Sequence, residues 1–198
     1  LHLSLRRQRQ MCIRDRSQIE EASLGISQAS VVQSDAELQE RVRFMHEKVN
    51  TDVIVEEYIE GRELYVGILG AERLIVLPIW ELVFENMPDN VPHIATRRVK
   101  WDPKYQKKRG IMSRQAQGLS PELTQRIQSV CKRTYRALGL SGYARIDLRL
   151  RADGEIYVIE ANPNPEIAFH EDFADSAKEH GYSYEDLIQK VLSLGLRG

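Results

Sequence analysis

Gly142-Tyr143-Ala144-Arg145-Ile146-Asp147-Leu148-Arg149-Leu150-Arg151-Ala152-Asp153-Gly154-Glu155-Ile156-Tyr157-Val158-Ile159-Glu160-Ala161-Asn162 reads as two alternating runs around an Asp-Gly pair. Asp-Gly between such runs is the strongest short-range hairpin signal, because both residues tolerate the positive φ that a two-residue turn demands. A two-residue turn at Asp153-Gly154 sets Ala152 opposite Glu155. The same register sets Asp147 opposite Glu160 and Arg145 opposite Asn162. Side chains alternate with period 2, so these four polar residues share one face. Ile146, Leu148 and Leu150 against Tyr157, Ile159 and Ala161 make the other face wholly apolar.

Two carboxylates directly opposed on a sheet repel, so Asp147 and Glu160 call for a cation between them. Asp, Glu and Asn offer only oxygen ligands. A small set of hard oxygens suits Mg²⁺, which keeps waters and completes its shell from substrate phosphates. The competing reading is a solvated outer face whose acids are neutralised by Arg145, Arg149 and Arg151. The hairpin alone leaves both open.

The chain has 198 residues, 42% hydrophobic and 29% charged, with a net charge of −1. That composition fits one or two small folded domains. The balanced charge gives no global drive toward nucleic acid or an anionic membrane. No apolar run approaches the ~20 residues a membrane-spanning helix needs. Cys12 and Cys131 form neither a disulfide framework nor a metal-ligand cluster, which favours a reducing, cytoplasmic setting. Residues 1–16 are arginine-rich, without apolar periodicity, and Met11 to Arg16 resembles translated adapter sequence. They are expected to be a non-native or disordered leader outside the fold; a genuine basic arm is the other reading.

Further along, Ser23, Leu24 and Gly25 lie in a small-residue stretch that reads as a turn, or as a loop whose N–H groups approach phosphate. Ser34 and Glu37 form a capping box before Leu38, Val42, Met45 and Val49, so a helix is expected over 35–48. Runs at 53–55, 64–69 and 74–77 predict an antiparallel meander. Its first turn, Glu56 to Glu63, is acidic enough to hold a nucleotide's amino group and hydroxyls, or to be a solvated turn. Residues 79–117 read as a long loop with a basic run, Arg97 to Lys100, near Trp101 and Tyr105. A long loop of that kind is usually a lid. Ser120-Pro121 opens a helix with the stripe Leu123, Ile127, Val130, Cys131, Thr134 and Leu138, ended by Gly139. Cys131 on that stripe is a core residue. A last helix starts at Ser183 and buries Leu187, Ile188, Val191 and Leu192.

The acidic strand end Glu56 to Glu63, the basic-loop Lys100 and the hairpin Arg145-Ile-Asp147 with Glu160-Ala-Asn162, in this order, resemble the ATP-grasp ligases. The likeness is greatest to the C-terminal catalytic region of the D-alanine–D-alanine ligase-like group and covers about residues 17–198. It implies an α+β fold, mainly antiparallel sheet flanked by helices, with an N-terminal domain missing. Residues 17–52 would belong to the smaller subdomain and 53–198 to the nucleotide- and metal-binding one.

The same resemblance implies ATP and two Mg²⁺ ions, with Mn²⁺ as an alternative. Glu56, Tyr58 and Ile59 would lie at the adenine and Glu63 at the ribose. Asp147, Glu160 and Asn162 would be metal ligands. Arg145 would stabilise the transferring phosphoryl group, Lys100 a phosphate oxygen, and Ser23, Leu24 and Gly25 the loop over the triphosphate. The implied reaction joins a carboxylate to an amine through an acyl phosphate, with small amino-acid or carboxylate substrates. The chain itself is expected to be an inactive fragment, and its parent is compatible with an oligomer. A non-catalytic Mg-nucleotide-binding module is the alternative; a nucleic-acid binder is disfavoured by the charge balance. The sequence departs from the family in two places. Arg14-Asp15-Arg16 stands where the family has a phosphate-binding lysine. Asn162-Pro163-Asn164-Pro165-Glu166 replaces Asn-Thr-Ser-Pro-Gly, and Glu166 would crowd a substrate carboxylate.

Overall fold

The computed structural model describes residues 13–17, 27–50, 52–88 and 91–196. They divide between two compact units, one comprising residues 1–59 and 84–111 and the other 60–83 and 112–198. This differs from the expected boundary at 52/53: residues 53–59 and 84–111 group with the N-terminal segment.

In the first unit, strand β1 (Ile13–Ser17) pairs antiparallel with β2 (Val31–Val32) on one side. On its other side it pairs with β3 (Val53–Glu57), in the order β2-β1-β3. Residues 13–16, expected outside the fold, are therefore an inner strand. Ile13-Arg14-Asp15-Arg16 has no apolar alternation, and its pairing sets Arg14 in register with Glu56 and Arg16 with Ile54. Helix α1 (Asp35–Phe44) begins where Ser34 Oγ accepts from the Glu37 N–H, and Glu37 accepts in turn from the Gln33 N–H at 2.7 Å. A π-helical turn, Met45–Val49, prolongs it and buries Met45.

The second unit is built on β4 (Arg62–Leu69). It pairs with β5 (Ile75–Val76), as the meander reading expected, and with β6 (Trp80–Phe84). The first strand of that meander is not there: β3 belongs to the other sheet. A period-2 pattern identifies a strand without naming its partner.

The expected long loop over 79–117 is also largely structured. It supplies β6, then α2 (Arg97–Trp101), α3 (Pro103–Arg109) and β7 (Ile111–Gln115). Thr96 caps α2, and Asp102 caps α3 with Pro103 at its first position, signals that short segments make easy to overlook.

Helix α4 (Pro121–Ala137) is capped by Ser120 and stops at Gly139, as expected. Its buried stripe is Ile127, Cys131 and Tyr135, and Leu138 is exposed. Strands β8 (Tyr143–Leu150) and β9 (Ile156–Asn162) then complete the antiparallel order β7-β6-β4-β8-β9. Helices α5 (Asp172–Glu179) and α6 (Tyr184–Gly195) close the unit; Leu187 of α6 is buried, whereas Leu192 is exposed.

Two cores lie in this unit. Leu64, Val66, Ile68, Ala144, Ile146, Leu148 and Leu150 pack beneath α4, and Leu69 and Leu77 pack with Phe173, Ala177 and Leu187 of α5 and α6. Among the described residues no helix is long and apolar enough to cross a membrane.

Candidate functional site

The Asp153-Gly154 hairpin forms, but not with the expected turn. Arg151 N–H donates to the Glu155 carbonyl at 2.9 Å, so the loop has three residues, Ala152 to Gly154. Gly154 takes φ 84°, which a residue with a Cβ rarely adopts. This loop shifts the register by one, opposing Leu150 to Ile156, Arg149 to Tyr157 and Leu148 to Val158. Ile159 is then an extra residue, a β-bulge, after which Asp147 opposes Glu160 and Arg145 opposes Asn162. The expected polar pairs are therefore present, produced by two compensating shifts. The expected apolar pairs near the turn are replaced: Ile156 takes the core side that Tyr157 was expected to take.

On the polar face of β4 and β8, Glu63, Tyr65 and Gly67 stand opposite Arg149, Asp147 and Arg145. Their side chains form one chain of contacts. Arg145 binds Asp147 through both carboxylate oxygens, at 2.7 and 2.9 Å. Its guanidinium carbon lies 4.6 Å from the Tyr65 ring centroid. The Tyr65 hydroxyl donates to Glu63 at 2.9 Å, and Arg149 donates to the other Glu63 oxygen at 2.7 Å and to the Gly61 carbonyl at 2.8 Å. Asp147, Glu63 and Arg149 are 5%, 6% and 3% exposed, so this is a buried network and not a solvated charged face.

Burial sets the electrostatics. The Asp147 carboxyl is pushed up to about 6 because burial penalises its charge, with Glu160 and Glu63 adding to the rise; Arg145 opposes it without cancelling it. Burial works against the Arg145 charge, but Asp147 more than offsets this and keeps the guanidinium cationic. The Tyr65 hydroxyl is raised well above its ordinary value by burial and then by Glu63 and Asp147, so it stays protonated and donates. Cys131, under α4, is pushed up to about 12 by burial, which leaves a core thiol and no nucleophile.

Among the described residues, no three Asp, Glu, His or Cys side chains stand together as metal ligands. The expected set needs the amide oxygen of Asn162 as its third donor, beside the opposed Asp147 and Glu160. Those oxygens fit a hard divalent cation. The guanidinium of Arg145 is now the cation on Asp147, and Asn162 Oδ1 accepts from the Asn164 N–H at 3.0 Å.

Of the other expected residues, Glu56 sits on the half-buried side of β3 while Glu57 is exposed, and Tyr58, Ile59 and Lys100 are half-buried. These four belong to the first unit; Glu63, Arg145, Asp147, Glu160 and Asn162 belong to the second. Lys100 lies on α2 and not in an irregular lid. Ser23, Leu24 and Gly25 lie outside the described residues.

Tyr65 has no role in the sequence-based expectations, and Arg149 enters them only as a neutralising charge on a solvated face, not as a buried partner of Glu63. The signal available was alternation, since both share the parity of Glu63 and Asp147 on their strands. A groove of about 530 Å³ lies away from this face, between α4 and the start of β9, lined by Arg126, Arg133 and Glu155. Its exposed charged lining offers no convergent chemistry.

An antiparallel sheet with helices packed on it is what the resemblance to the ATP-grasp ligases implied. The structure superposes on the D-Ala:D-Ser ligase VanG from Enterococcus faecalis with a TM-score of 0.70 and 25% identity, covering 92% of this chain and 49% of that one. It also superposes on the D-alanine–D-alanine ligase from Bacillus anthracis complexed with ATP, with a TM-score of 0.66 and 23% identity, over 94% of this chain and 60% of that one. The D-alanine–D-alanine ligase of Carboxydothermus hydrogenoformans is 35% identical over 155 residues, 76% of this chain and 45% of that protein. The family model described as "D-ala D-ala ligase C-terminus" matches residues 16–193, and the chain belongs to that family. It spans about half the length of the curated relatives it matches.

Proposed function

We propose that the chain supplies the nucleotide- and metal-binding half of an ATP-dependent ligase that joins a carboxylate to an amine. The observation that carries this reading is the pairing of Asp147 with Glu160 and Arg145 with Asn162 on one polar face, within a chain matched over 16–193 by the family model. In the proposed reaction a carboxylate oxygen attacks the γ-phosphorus of ATP and ADP leaves, giving an acyl phosphate. A neutral amine then attacks the acyl carbon, phosphate leaves, and the nitrogen gives up its proton.

Asp147, Glu160 and Asn162 would hold Mg²⁺, which supplies Lewis-acid neutralisation of the phosphate charge when bound. Arg145 stabilises the charge on the transferring phosphoryl oxygens, and Lys100 pairs with a phosphate oxygen. Glu56, Tyr58 and Ile59 hold the adenine. Glu63 serves the ribose hydroxyls with the lone pairs that Tyr65 and Arg149 leave over. Ser23, Leu24 and Gly25, outside the described residues, keep their assignment to the triphosphate from the family resemblance alone. The reading places the protein in the cytoplasm, acting on small amino acids and not on nucleic acid.

Glu166 distinguishes this chain's substrate end: its carboxylate accepts from the Ala168 N–H at 3.0 Å, where the family's dipeptide ligases have glycine. The test is amino-acid-stimulated phosphate release from MgATP by the protein expressed from its complete open reading frame, across a panel of D- and L-amino acids. Glu160→Gln is expected to lower turnover at least ~100-fold with the melting temperature nearly unchanged. Turnover surviving Glu160→Gln removes the metal assignment, and no stimulation by any amino acid removes the ligase reading.

A further inference from the structure

We propose that Tyr65 is the positioning residue for Arg145, holding the guanidinium by its face so that its N–H edge can serve an oxyanion; this rests on the ligase reading only for what that oxyanion is.

A guanidinium has five N–H donors in one plane and a face that can stack. Every donor spent on holding it is lost to the phosphoryl group. In this structure Nε and Nη2 are spent on Asp147. Asp147 is also the carboxylate assigned to a cation, so it cannot be the only group that fixes the orientation of Arg145. The remaining hold is Tyr65. Its ring lies under the guanidinium at 4.6 Å, and its hydroxyl donates to Glu63, whose other oxygen accepts from Arg149.

The packing around this stack is dry. Tyr65, Gly67, Trp80, Arg145, Asp172, Phe173 and Ser176 surround a gap with no room for a water molecule. Gly67 makes that closure possible: a Cβ there would come within 2.9 Å of the Phe173 ring and 2.7 Å of the Leu77 side chain. Trp80 and Asp147 stand opposite Tyr65 on the neighbouring strands, and the ring is 6% exposed. A cation stacked on an aromatic face gains most where water is excluded. Contact of the guanidinium carbon with the ring spends no N–H donor of Arg145, whereas the salt bridge to Asp147 spends two.

The test compares Tyr65→Phe, which keeps the face, with Tyr65→Leu, which removes it, in the protein expressed from its complete open reading frame. The first readout needs no turnover. The Arg145 Nε–Hε resonance, assigned by its loss in Arg145→Lys, is expected to hold its position in Tyr65→Phe. In Tyr65→Leu it moves downfield as the ring current disappears, and it exchanges faster with solvent. The second readout is phosphate release from MgATP with the most stimulating amino acid. Tyr65→Leu is expected to lose roughly 10-fold in kcat with KM for ATP within about 3-fold of wild type, and Tyr65→Phe to retain kcat within about 3-fold.

An unmoved resonance in Tyr65→Leu overturns the inference, and so does a Tyr65→Phe variant that falls as far as Tyr65→Leu. If Tyr65→Leu does not fold, Tyr65→Phe decides: near-wild-type kcat supports the face, and a loss equal to that of Arg145→Ala overturns it. Wild-type protein without amino-acid-dependent phosphate release counts against the ligase reading, and the resonance comparison then judges Tyr65 alone.

Discussion

The two faces of the β4–β8 pair are made from alternate residues of the same two strands, yet different forces hold them. Leu64, Val66, Ile146 and Leu148 point into an apolar core under α4, where each side chain contributes through burial and can be exchanged for another of similar volume. Glu63, Tyr65, Arg145, Asp147 and Arg149 point the other way and are nearly as buried, but each is held by a named partner. A charge taken out of water is tolerable only while paired, so the polar face is stable as a set and fragile member by member. Its cost is accepted where chemistry needs charge in a dry place, which is why the polar face, not the larger groove beside α4, is the candidate site.

Three experiments test that contrast, in decreasing order of effect. Arg149→Met strands the Glu63 carboxylate and is expected to destabilise by about 4 kcal/mol, with Glu63→Gln in the same chain recovering much of the loss. Chemical denaturation of the two single variants and the double variant measures it; additive losses break the claim that the polar face acts as a set. Leu148→Ala on the apolar face is expected to cost about 3 kcal/mol through the lost burial and the cavity left behind, with no partner substitution able to restore it.

The third effect, no larger than that of Leu148→Ala, is a pH dependence at Asp147. Its folded carboxyl, raised to about 6, binds a proton more readily than the ordinary carboxyl of the unfolded chain near 3.8. The associated stability is present below about pH 4 and is lost as the pH rises through about 6, an amount of up to ~3 kcal/mol. Without divalent cations, the stability of wild type minus that of Asp147→Asn is therefore expected to fall across this window. A flat difference shows that Arg145 compensates the burial of Asp147 fully.

Much of the hairpin was legible because alternation and Asp-Gly are local. Even there the turn was misread: Asp-Gly signals a tight reversal, but one added loop residue and the Ile159 bulge differ from a two-residue turn by amounts that leave Asp147 opposite Glu160 either way. Helix α4 was legible from its cap and stripe, and Ile127 and Cys131 of that stripe are buried; only its last turn differs. Tyr135 is buried and bonds the Gly70 carbonyl at 2.7 Å, while Leu138 is left outside. β1 was not legible at all, since Arg14, Asp15 and Arg16 carry no apolar alternation, and pairing with β3 comes from backbone groups common to every residue.

Except between Ile156 and the Ile159 bulge, the sequence by itself determined which residues share a face, because side-chain alternation along a strand is a local rule. It placed Arg145, Asp147, Glu160 and Asn162 together before any partner strand was known. Only the tertiary structure decided that this face is buried, that Glu63 and Asp147 are gripped by Arg149 and Arg145, and that Tyr65 lies under the guanidinium. Those facts depend on β4 lying beside β8 and on Phe173 closing over Gly67, contacts between segments some 80 to 100 residues apart in sequence. Alternation carries no information about which strand comes to lie next to which.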